Sequence, residues 1–169
     1  VLMGPERDWA SFTVGSDHEC GLKLDESLWC RGSNSYGAIG QGSGSPARYA
    51  QFVEVDQPSN RWKSLSLDAY RTCAITRHGE LGCWGQNEHG VLGYGPSPSA
   101  VSSPTEIMVG ETWKEVVLRL SHTCAIRQDG TLWCWGYNYW GELGTDQKAV
   151  VYEKSQIGTD SDWDSLSAG

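Results

Sequence analysis

The residues with the clearest chemistry in this chain are its six cysteines. They form three pairs whose members lie ten positions apart: Cys20 and Cys30, Cys73 and Cys83, and Cys124 and Cys134. Zinc ligands usually come as more closely spaced couples, so this spacing favours disulfide bonds over a metal site. Disulfides would place the protein in an oxidising compartment, secreted or on the cell surface. Buried free thiols in a reduced cytosolic protein are the alternative.

The other residues that are able to do chemistry do not assemble into a catalytic pattern. His18 and His122 each precede a cysteine at equivalent places, which favours a structural hydrogen bond over a metal ligand or a base. Glycines spaced by three lack the helix and the Lys-Ser/Thr of a phosphate-binding loop. Four carboxylates cluster near the first cysteine pair and fit solvated turns, with a glycosidase-like pair as the alternative: Asp17, Glu19, Asp25 and Glu26. We therefore predict no enzyme activity, no metal and no cofactor.

A third group of residues fits binding better than catalysis. Trp140 aligns with Tyr36 and His89 in three similar Asn-x-x-Gly loops, and Tyr137 and Tyr139 flank it. The residue at this loop position changes from repeat to repeat but always carries a ring. Aromatic side chains on loops make good binding anchors, so we predict that these five residues bind a partner. Packing of the loops against a neighbouring unit is the alternative.

The elements that position these residues begin with a hairpin at 122–136. Alternating apolar residues predict two strands, and Gln128-Asp129-Gly130 predicts the turn between them, closed by a glycine in the left-handed conformation. This loop length places Cys124 directly opposite Cys134 in a non-hydrogen-bonded pair, where a disulfide is permitted. Both faces of the hairpin are apolar, so it must be covered on both sides.

The hairpin is one part of a unit that recurs three times. Trp9, Trp62, Trp113 and Trp163 are 53, 51 and 50 residues apart by subtraction, and each opens an alternating segment. The hairpin and the Asn-x-x-Gly loop follow the first three, and last strands are predicted near 51–55, 105–109 and 153–157. Four short antiparallel strands in about fifty residues predict an all-β fold of β-propeller blades, with a β-sandwich as the alternative.

The repeat fixes the expected boundaries. We predict repeats at 9–61, 62–112 and 113–162, the last strand of a preceding blade at 1–8, and the first strand of a following blade at 163–169. About three blades make only part of a propeller, so the chain is expected to be an excerpt of a longer ring. A self-contained three-repeat protein that assembles into a closed ring is the alternative.

Composition and charge exclude several classes of function. The formal net charge is −8, and the 13 basic residues form no run, which opposes nucleic-acid binding. No apolar stretch is long enough to span a bilayer, so membrane insertion is not expected.

The repeat resembles that of the regulator-of-chromosome-condensation family. The resemblance rests on His122-Thr-Cys-Ala, the Asp129-Gly130 turn, Trp135-Gly136 and the Asn-x-x-Gly-x-Leu-Gly loop at 138–144. It implies a propeller, usually of seven blades, and the paired cysteines look like those of secreted or surface bacterial members. Single positions depart from the pattern: Arg71 replaces the histidine, Arg31 the tryptophan and Glu26 the turn glycine.

These observations favour a non-enzymatic scaffold that binds a protein partner through its loops. The alternatives are a structural protein that self-associates through open blade edges into fibres, an inhibitor of a secreted enzyme, and the nucleotide-exchange or chromatin role of the founding family member. The acidic balance and the cysteine pairs oppose the last of these. Light sensing as in the plant ultraviolet-B photoreceptor is disfavoured because the Gly-Trp-Arg-His-Thr motif is absent.

Overall fold

The computed structural model describes residues 8–55 and 61–167, which form three four-stranded antiparallel sheets. Blade 1 contains β1 (Trp9–Val14), β2 (His18–Lys23), β3 (Leu28–Ser33) and β4 (Arg48–Glu54). Blade 2 contains β5 (Trp62–Leu67), β6 (Arg71–Thr76), β7 (Leu81–Gln86) and β8 (Ala100–Ile107). Blade 3 contains β9 (Trp113–Leu118), β10 (His122–Arg127), β11 (Leu132–Gly136) and β12 (Val151–Gln156). Each sheet pairs its strands in chain order, so the predicted all-β, four-stranded blades are confirmed.

The predicted register of the cysteine hairpin is confirmed in blade 3. Cys124 pairs with Cys134, and Arg127 N donates to Thr131 O over 3.0 Å at the closing end of the turn. The same register holds in the other two blades, and all six cysteines form cross-strand disulfides with Cα–Cα distances of 4.1 Å. Gly130 has the expected positive φ of 82°. Glu26 adopts the same conformation in blade 1, with φ 67°, although it carries a side chain.

Both faces of the central blade are buried, because the blades stack on one another. The cysteine face of blade 1 packs on blade 2 through Trp62 and Trp84, and the cysteine face of blade 2 packs on blade 3 through Trp113 and Trp135. The hairpin register produces this division, because alternate residues of a strand point to opposite faces of the sheet. Stacking supplies the second layer that a single apolar sheet lacks.

The last strands and the segment at 163–167 differ from the prediction. The last strand of each blade begins earlier than expected, at Arg48, Ala100 and Val151, because ladder pairing with the third strand reaches these residues. No strand is assigned to 163–167, the described part of the segment predicted to start a following blade. A strand requires a paired ladder, and none is seen there among the described residues. Residues 1–7, expected to belong to a preceding blade, lie outside the described part of the chain.

Candidate binding face

Three loops after the third strand of each blade carry the predicted binding residues: loop 1 (34–40), loop 2 (87–93) and loop 3 (138–144). A buried asparagine organises each loop from its first position. Asn34 Oδ1 accepts a hydrogen bond from Ile39 N at 3.0 Å, and Asn138 Oδ1 accepts one from Leu143 N at 2.8 Å. Asn87 does the same for loop 2. Because one side chain satisfies several backbone groups, the loop conformation is fixed from within.

Loops 1 and 2 hold their variable residue in a left-handed conformation. Tyr36 has a φ of 57° and His89 a φ of 58°. Tyr36 contacts Tyr70 of blade 2, with ring centroids 5.7 Å apart. His89 contacts Tyr137 of blade 3 at 5.2 Å, and Tyr137 contacts Tyr139 at 5.0 Å. The structure therefore joins three of the five predicted residues in one cluster and places Tyr36 in a separate pair.

Trp140 stands apart from these ring contacts. Its side chain is 84% exposed, the highest value among the large apolar residues described as exposed. Its backbone N–H donates to Glu142 Oε2 at 2.9 Å, which fixes the local turn without covering the indole. A half-exposed Tyr139 lies beside it in sequence. The predicted alternative, packing of the loop residue on a neighbouring blade, applies to Tyr36 and His89 but not to Trp140 in this structure.

Tyr70 was missed because it lies outside the Asn-x-x-Gly loops. It occupies the turn between β5 and β6, next to Arg71, whose pairing with Gly85 brings this turn to the same end of the blade as loop 2. The hairpin register was available from the sequence and could have indicated that turn and loop share one end. What it could not supply was the distance between Tyr70 and a residue of the preceding blade.

The loops also form the joints between blades. Ala38 O in loop 1 accepts hydrogen bonds from Thr72 Oγ1 and Trp84 Nε1 of blade 2, each at 2.9 Å. Val91 O in loop 2 accepts the equivalent bonds from Thr123 Oγ1 and Trp135 Nε1 of blade 3, at 2.7 and 2.9 Å. Because each buried carbonyl accepts two hydrogen bonds from the next blade, the position of each loop on that blade is fixed.

The histidines belong to the same joints. His18 Nε2 lies 2.9 Å from Thr72 Oγ1, whose proton is committed to Ala38 O, so His18 donates from Nε2. Burial lowers the pKa of His18, and the Ala69 backbone and the charges of Asp68 and Asp17 oppose this shift only in part. Burial also lowers the pKa of His122. Arg71, at the corresponding place in blade 2, donates to Leu120 O of blade 3.

Exposed aromatic side chains characterise this face: Tyr36, Tyr70, Tyr139 and Trp140. All six cysteines are in disulfides, which removes them as nucleophiles. Within residues 8–55 and 61–167, no three or more His, Cys, Asp or Glu side chains converge as metal ligands. Over the same residues, no helix has the length and apolarity to cross a membrane. Exposed rings on a rigid scaffold are well suited to contact another protein.

One segment of the chain matches a known repeat family. Residues 120–141 match the family described as the regulator of chromosome condensation (RCC1) repeat. The chain is 29% identical over 136 residues to the ultraviolet-B receptor UVR8 of Arabidopsis thaliana, a match that covers 79% of this chain and 31% of the receptor.

Solved structures show the same fold. Yeast RCC1 (Prp20), in a crystal structure bound to Kap60, superposes with a TM-score of 0.80 at 19% identity, over 92% of this chain and 38% of that one. Human WBSCR16 gives a TM-score of 0.81 at 15% identity, over 93% of this chain and 40% of that one. The chain thus spans less than half the length of the proteins that it resembles.

Proposed function

Because this chain is built from repeats of the regulator-of-chromosome-condensation type, we propose that it is a non-enzymatic protein-interaction scaffold that binds a protein partner through its loop face. We define the loop face by the aromatic residues at one end of the three blades: Tyr36, Tyr70, His89, Tyr137, Tyr139 and Trp140. The observation that carries the proposal is the exposed indole of Trp140 beside half-exposed Tyr139.

Aromatic side chains gain a large buried area on binding at a small entropic cost. Tyrosine and tryptophan bury a large area when they bind while losing few rotamers, so they are over-represented among the residues that dominate interface energies. Here their backbones are already held by the buried asparagines, which lowers the entropy that binding must remove. The yeast relative, which shares this fold, was crystallised with a protein partner.

We further propose that the scaffold works outside the cytoplasm, as a segment of a secreted or cell-surface protein. The support is the three disulfides, one at the same place in each blade. Such bonds form and persist in oxidising compartments. The net charge of −8 is in keeping with a protein partner and opposes binding to nucleic acid.

The proposed units are the repeats at 9–61, 62–112 and 113–162, with 1–8 and 163–169 as parts of adjoining blades. The position of Trp163 supports the last of these boundaries, since its backbone N–H donates a hydrogen bond to Gly130 O at 3.2 Å. Trp62 and Trp113 make the matching bonds to Glu26 O and Gly79 O, at 3.0 and 2.8 Å. The segment that starts at Trp163 therefore makes the same first backbone contact with blade 3 that β5 makes with blade 1 and β9 makes with blade 2.

The proposed function can be tested with a panel of purified extracellular proteins from the source organism, displayed on a surface and probed with the folded, oxidised chain. A specific partner should be found. The combined substitution Tyr36→Ala, Tyr137→Ala and Trp140→Ala should weaken its binding at least about tenfold, which corresponds to loss of one interface anchor.

A matched control is Leu24→Ala with Val109→Ala, which removes exposed apolar side chains outside the loop face. This control should bind as the unchanged chain does. Equal binding by the loop-face variant, or weaker binding by the control alone, would move the interface away from the loop face and contradict the proposal.

A further inference from the structure

A cavity of about 350 Å³ lies between blades 2 and 3, just after loop 2 and beside the fourth strand of blade 3. It is lined by residues 93–95, by Met108, and by residues 152–154 of β12. All of these belong to blades 2 and 3, so no further blade is needed to complete its walls. Cavities of about 300–1,000 Å³ hold small ligands in other proteins. We call this space the outer cavity.

Between blades 1 and 2, the equivalent segment after loop 1 lies directly on β8. Gly42 N donates a hydrogen bond to Ser102 O at 2.8 Å. A Cβ added to Gly42 would lie 3.5 Å from Ser103 Oγ. A Cβ added to Gly40 would lie 3.2 Å from Pro104 Cδ. At this joint the end of the loop and the fourth strand of the next blade are therefore in contact.

The ladder register shows which residues take these places between blades 2 and 3. Val101 of β8 and Val151 of β12 each pair with the glycine of the third strand, so residues 152–154 correspond to residues 102–104. The counterparts at the joint of blades 2 and 3 are bulkier or charged: Tyr94 for Gln41, Tyr152 for Ser102, Glu153 for Ser103 and Lys154 for Pro104.

These side chains hold the segment after loop 2 away from β12. Among the described residues Gly95 N, the counterpart of Gly42 N, has no protein acceptor, and a Cβ added to Gly95 would meet nothing within 4 Å. A Cβ added to Gly90 would by contrast lie 2.7 Å from Tyr152 Cδ1. The Tyr152 ring therefore packs under loop 2 itself, and the space opens beside the residues that follow the loop.

Tyr94 forms one fixed wall of the outer cavity. Its hydroxyl lies 2.9 Å from Cys83 O and 2.7 Å from Thr105 O, which holds the ring against β7 and β8. Burial raises the pKa of Tyr94, so the phenol stays neutral and keeps its proton for these carbonyls. A ring that is already held in place loses little entropy when a ligand stacks on it.

Met108 lines the outer cavity from a strained backbone conformation. Its φ of 56° is in the left-handed region, which a residue with a Cβ rarely adopts. The register places Gly158, with a φ of 69°, at the same position of blade 3. A glycine thus meets the backbone requirement, and the methionine adds its side chain. A Cβ added to Gly93 would lie 3.3 Å from Met108 Cε, so the thioether lies along the wall of the cavity.

The charges at the rim of the outer cavity favour a neutral ligand. Lys154 Nζ lies 2.6 Å from Glu111 Oε1 and 5.3 Å from the centroid of the Trp133 ring, so its charge is already balanced. Glu153 is exposed at the rim and repels an anion, as does the net charge of −8. A cation would in turn be repelled by the ammonium group of Lys154.

We propose that the outer cavity binds a neutral hexopyranose, either as a free sugar or as one residue of a glycan. Such a ring has an apolar face of C–H groups, which suits the Tyr94 and Tyr152 rings and the Met108 thioether. Its edge carries hydroxyl groups, which accept a hydrogen bond from Gly95 N and donate one to Glu153. A wholly apolar ligand would cover the Gly95 N–H without offering it an acceptor, which is costly.

The test is a titration of the folded, oxidised chain with glucose, galactose, mannose and N-acetylglucosamine, followed by saturation-transfer NMR and by chemical-shift changes. At least one of these sugars should bind, weakly, as expected for a small ligand in an open cavity. Its methyl glycoside separates the two sources: equal binding indicates a glycan residue, and loss of binding indicates the free sugar. Phenol, a neutral apolar ring, should bind less tightly than the sugar.

Substitutions in the outer cavity locate the sugar. Tyr152→Ser, which introduces the residue found in β8, should weaken sugar binding about fivefold or more, whereas Tyr152→Phe keeps the ring and should stay within about twofold. Met108→Gly should weaken binding about twofold or more and still fold, because Gly158 takes the same place in blade 3. Tyr139→Ser removes a half-exposed tyrosine outside the cavity and is the matched control, which should bind the sugar as the unchanged chain does.

Two results would overturn the proposal. One is that none of the four sugars binds, whether or not phenol does. The other is that Tyr152→Ser and Met108→Gly, both shown to be folded by thermal unfolding, bind the sugar as tightly as the unchanged chain, which would place the sugar elsewhere. Because the titration uses no protein partner, its failure is distinct from a failure of partner binding by the loop face.

Discussion

His18 Nε2 donates a hydrogen bond to Thr72 Oγ1 across the joint between blades 1 and 2, at 2.9 Å. The hydroxyl of Thr72 donates its own hydrogen bond to Ala38 O of blade 1, so the two bonds lead from blade 1 to blade 2 and back to blade 1. All three residues are buried. The histidine therefore has a structural role, and its protonation state should affect the free energy of unfolding.

Stability should fall as pH is lowered through the histidine range. Burial lowers the pKa of His18 in the folded state, so the unfolded chain, with a pKa near 6.5, binds the proton at a higher pH. The stabilising contribution is complete above about pH 6.5 and is lost below it, by at most about 1.4 kcal/mol per pH unit for one proton. Urea unfolding at several pH values measures this slope. Asp25 and Asp129 do not contribute in this pH range, because hydrogen bonds from Ser27 and Thr131 hold their pKa values below the usual aspartate range and both carboxyls titrate at more acidic pH.

His18→Gln, which keeps a side-chain donor but does not titrate, should flatten that slope. His122 has a lowered pKa for the same reason but is half-buried, so His122→Gln is expected to flatten it less. A slope that persists unchanged in the double variant would assign the pH dependence to other groups.

Reduction should destabilise the chain. The Cys73–Cys83 disulfide is fully buried in the core between blades 2 and 3, as Cys20–Cys30 is between blades 1 and 2. Replacement of both cysteines by alanine is expected to cost about 2–4 kcal/mol, through the lost cross-link and the lost packing. Chemical unfolding with and without reductant measures the effect. Mass spectrometry after alkylation provides the control: six alkylated thiols in the untreated protein would contradict the disulfides and the oxidising compartment.

Two tryptophan substitutions should separate binding from folding. Trp140→Ala removes an exposed indole and should change the free energy of unfolding by no more than about 0.5 kcal/mol. Trp84→Ala removes a fully buried indole and its bond to Ala38 O, at a cost of about 3–5 kcal/mol. Thermal or urea unfolding of the two variants side by side tests this. A large loss for Trp140→Ala would show that the indole packs in the folded protein and would remove it from the proposed binding face.

Glu26→Gly should stabilise blade 1. Glu26 has a φ of 67°, a conformation that costs a residue with a Cβ about 1–2 kcal/mol, and the equivalent residues Gly79 and Gly130 avoid this cost. After the greater flexibility of glycine in the unfolded chain is subtracted, a gain of about 0.5–1 kcal/mol is expected. Its carbonyl still accepts from Trp62 N, so the joint is kept. Gly79→Ala is the reverse control and should lower the free energy of unfolding. If Glu26→Gly does not raise the free energy of unfolding, contacts of the glutamate side chain offset the strain of its backbone.

The fold could be predicted in detail because it depends on local order repeated three times. Alternating residues and a turn of fixed length determine the hairpin register, and the register places Cys124 opposite Cys134 whatever surrounds the hairpin. Because both faces of each hairpin are apolar, the blades must stack on one another, and the regularly spaced tryptophans pack between them. The segment after Trp163 shows the limit of this reasoning, since alternation alone makes no strand without a partner ladder.

The candidate site was only partly predictable. The loop alignment singled out Tyr36, His89 and Trp140 because the same position carries a ring three times, but it could not show that Tyr36 contacts Tyr70 or that Trp140 is exposed. Whether an aromatic side chain packs between two blades or stays exposed depends on the blade beside it. The position of that blade is determined by contacts between residues far apart in the chain.

The sequence by itself determined the blades, their disulfides and the two faces of each sheet, since these follow from spacing within about fifty residues. The tertiary structure alone decided what each equivalent residue does. Thr72 and Trp84 meet a buried carbonyl because loop 1 is seated on blade 2. Glu19 and Arg31, at the same places in blade 1, pair with each other beside a cavity. The local sequence fixes a strand's geometry, but only the neighbouring blade fixes the polarity of its surroundings.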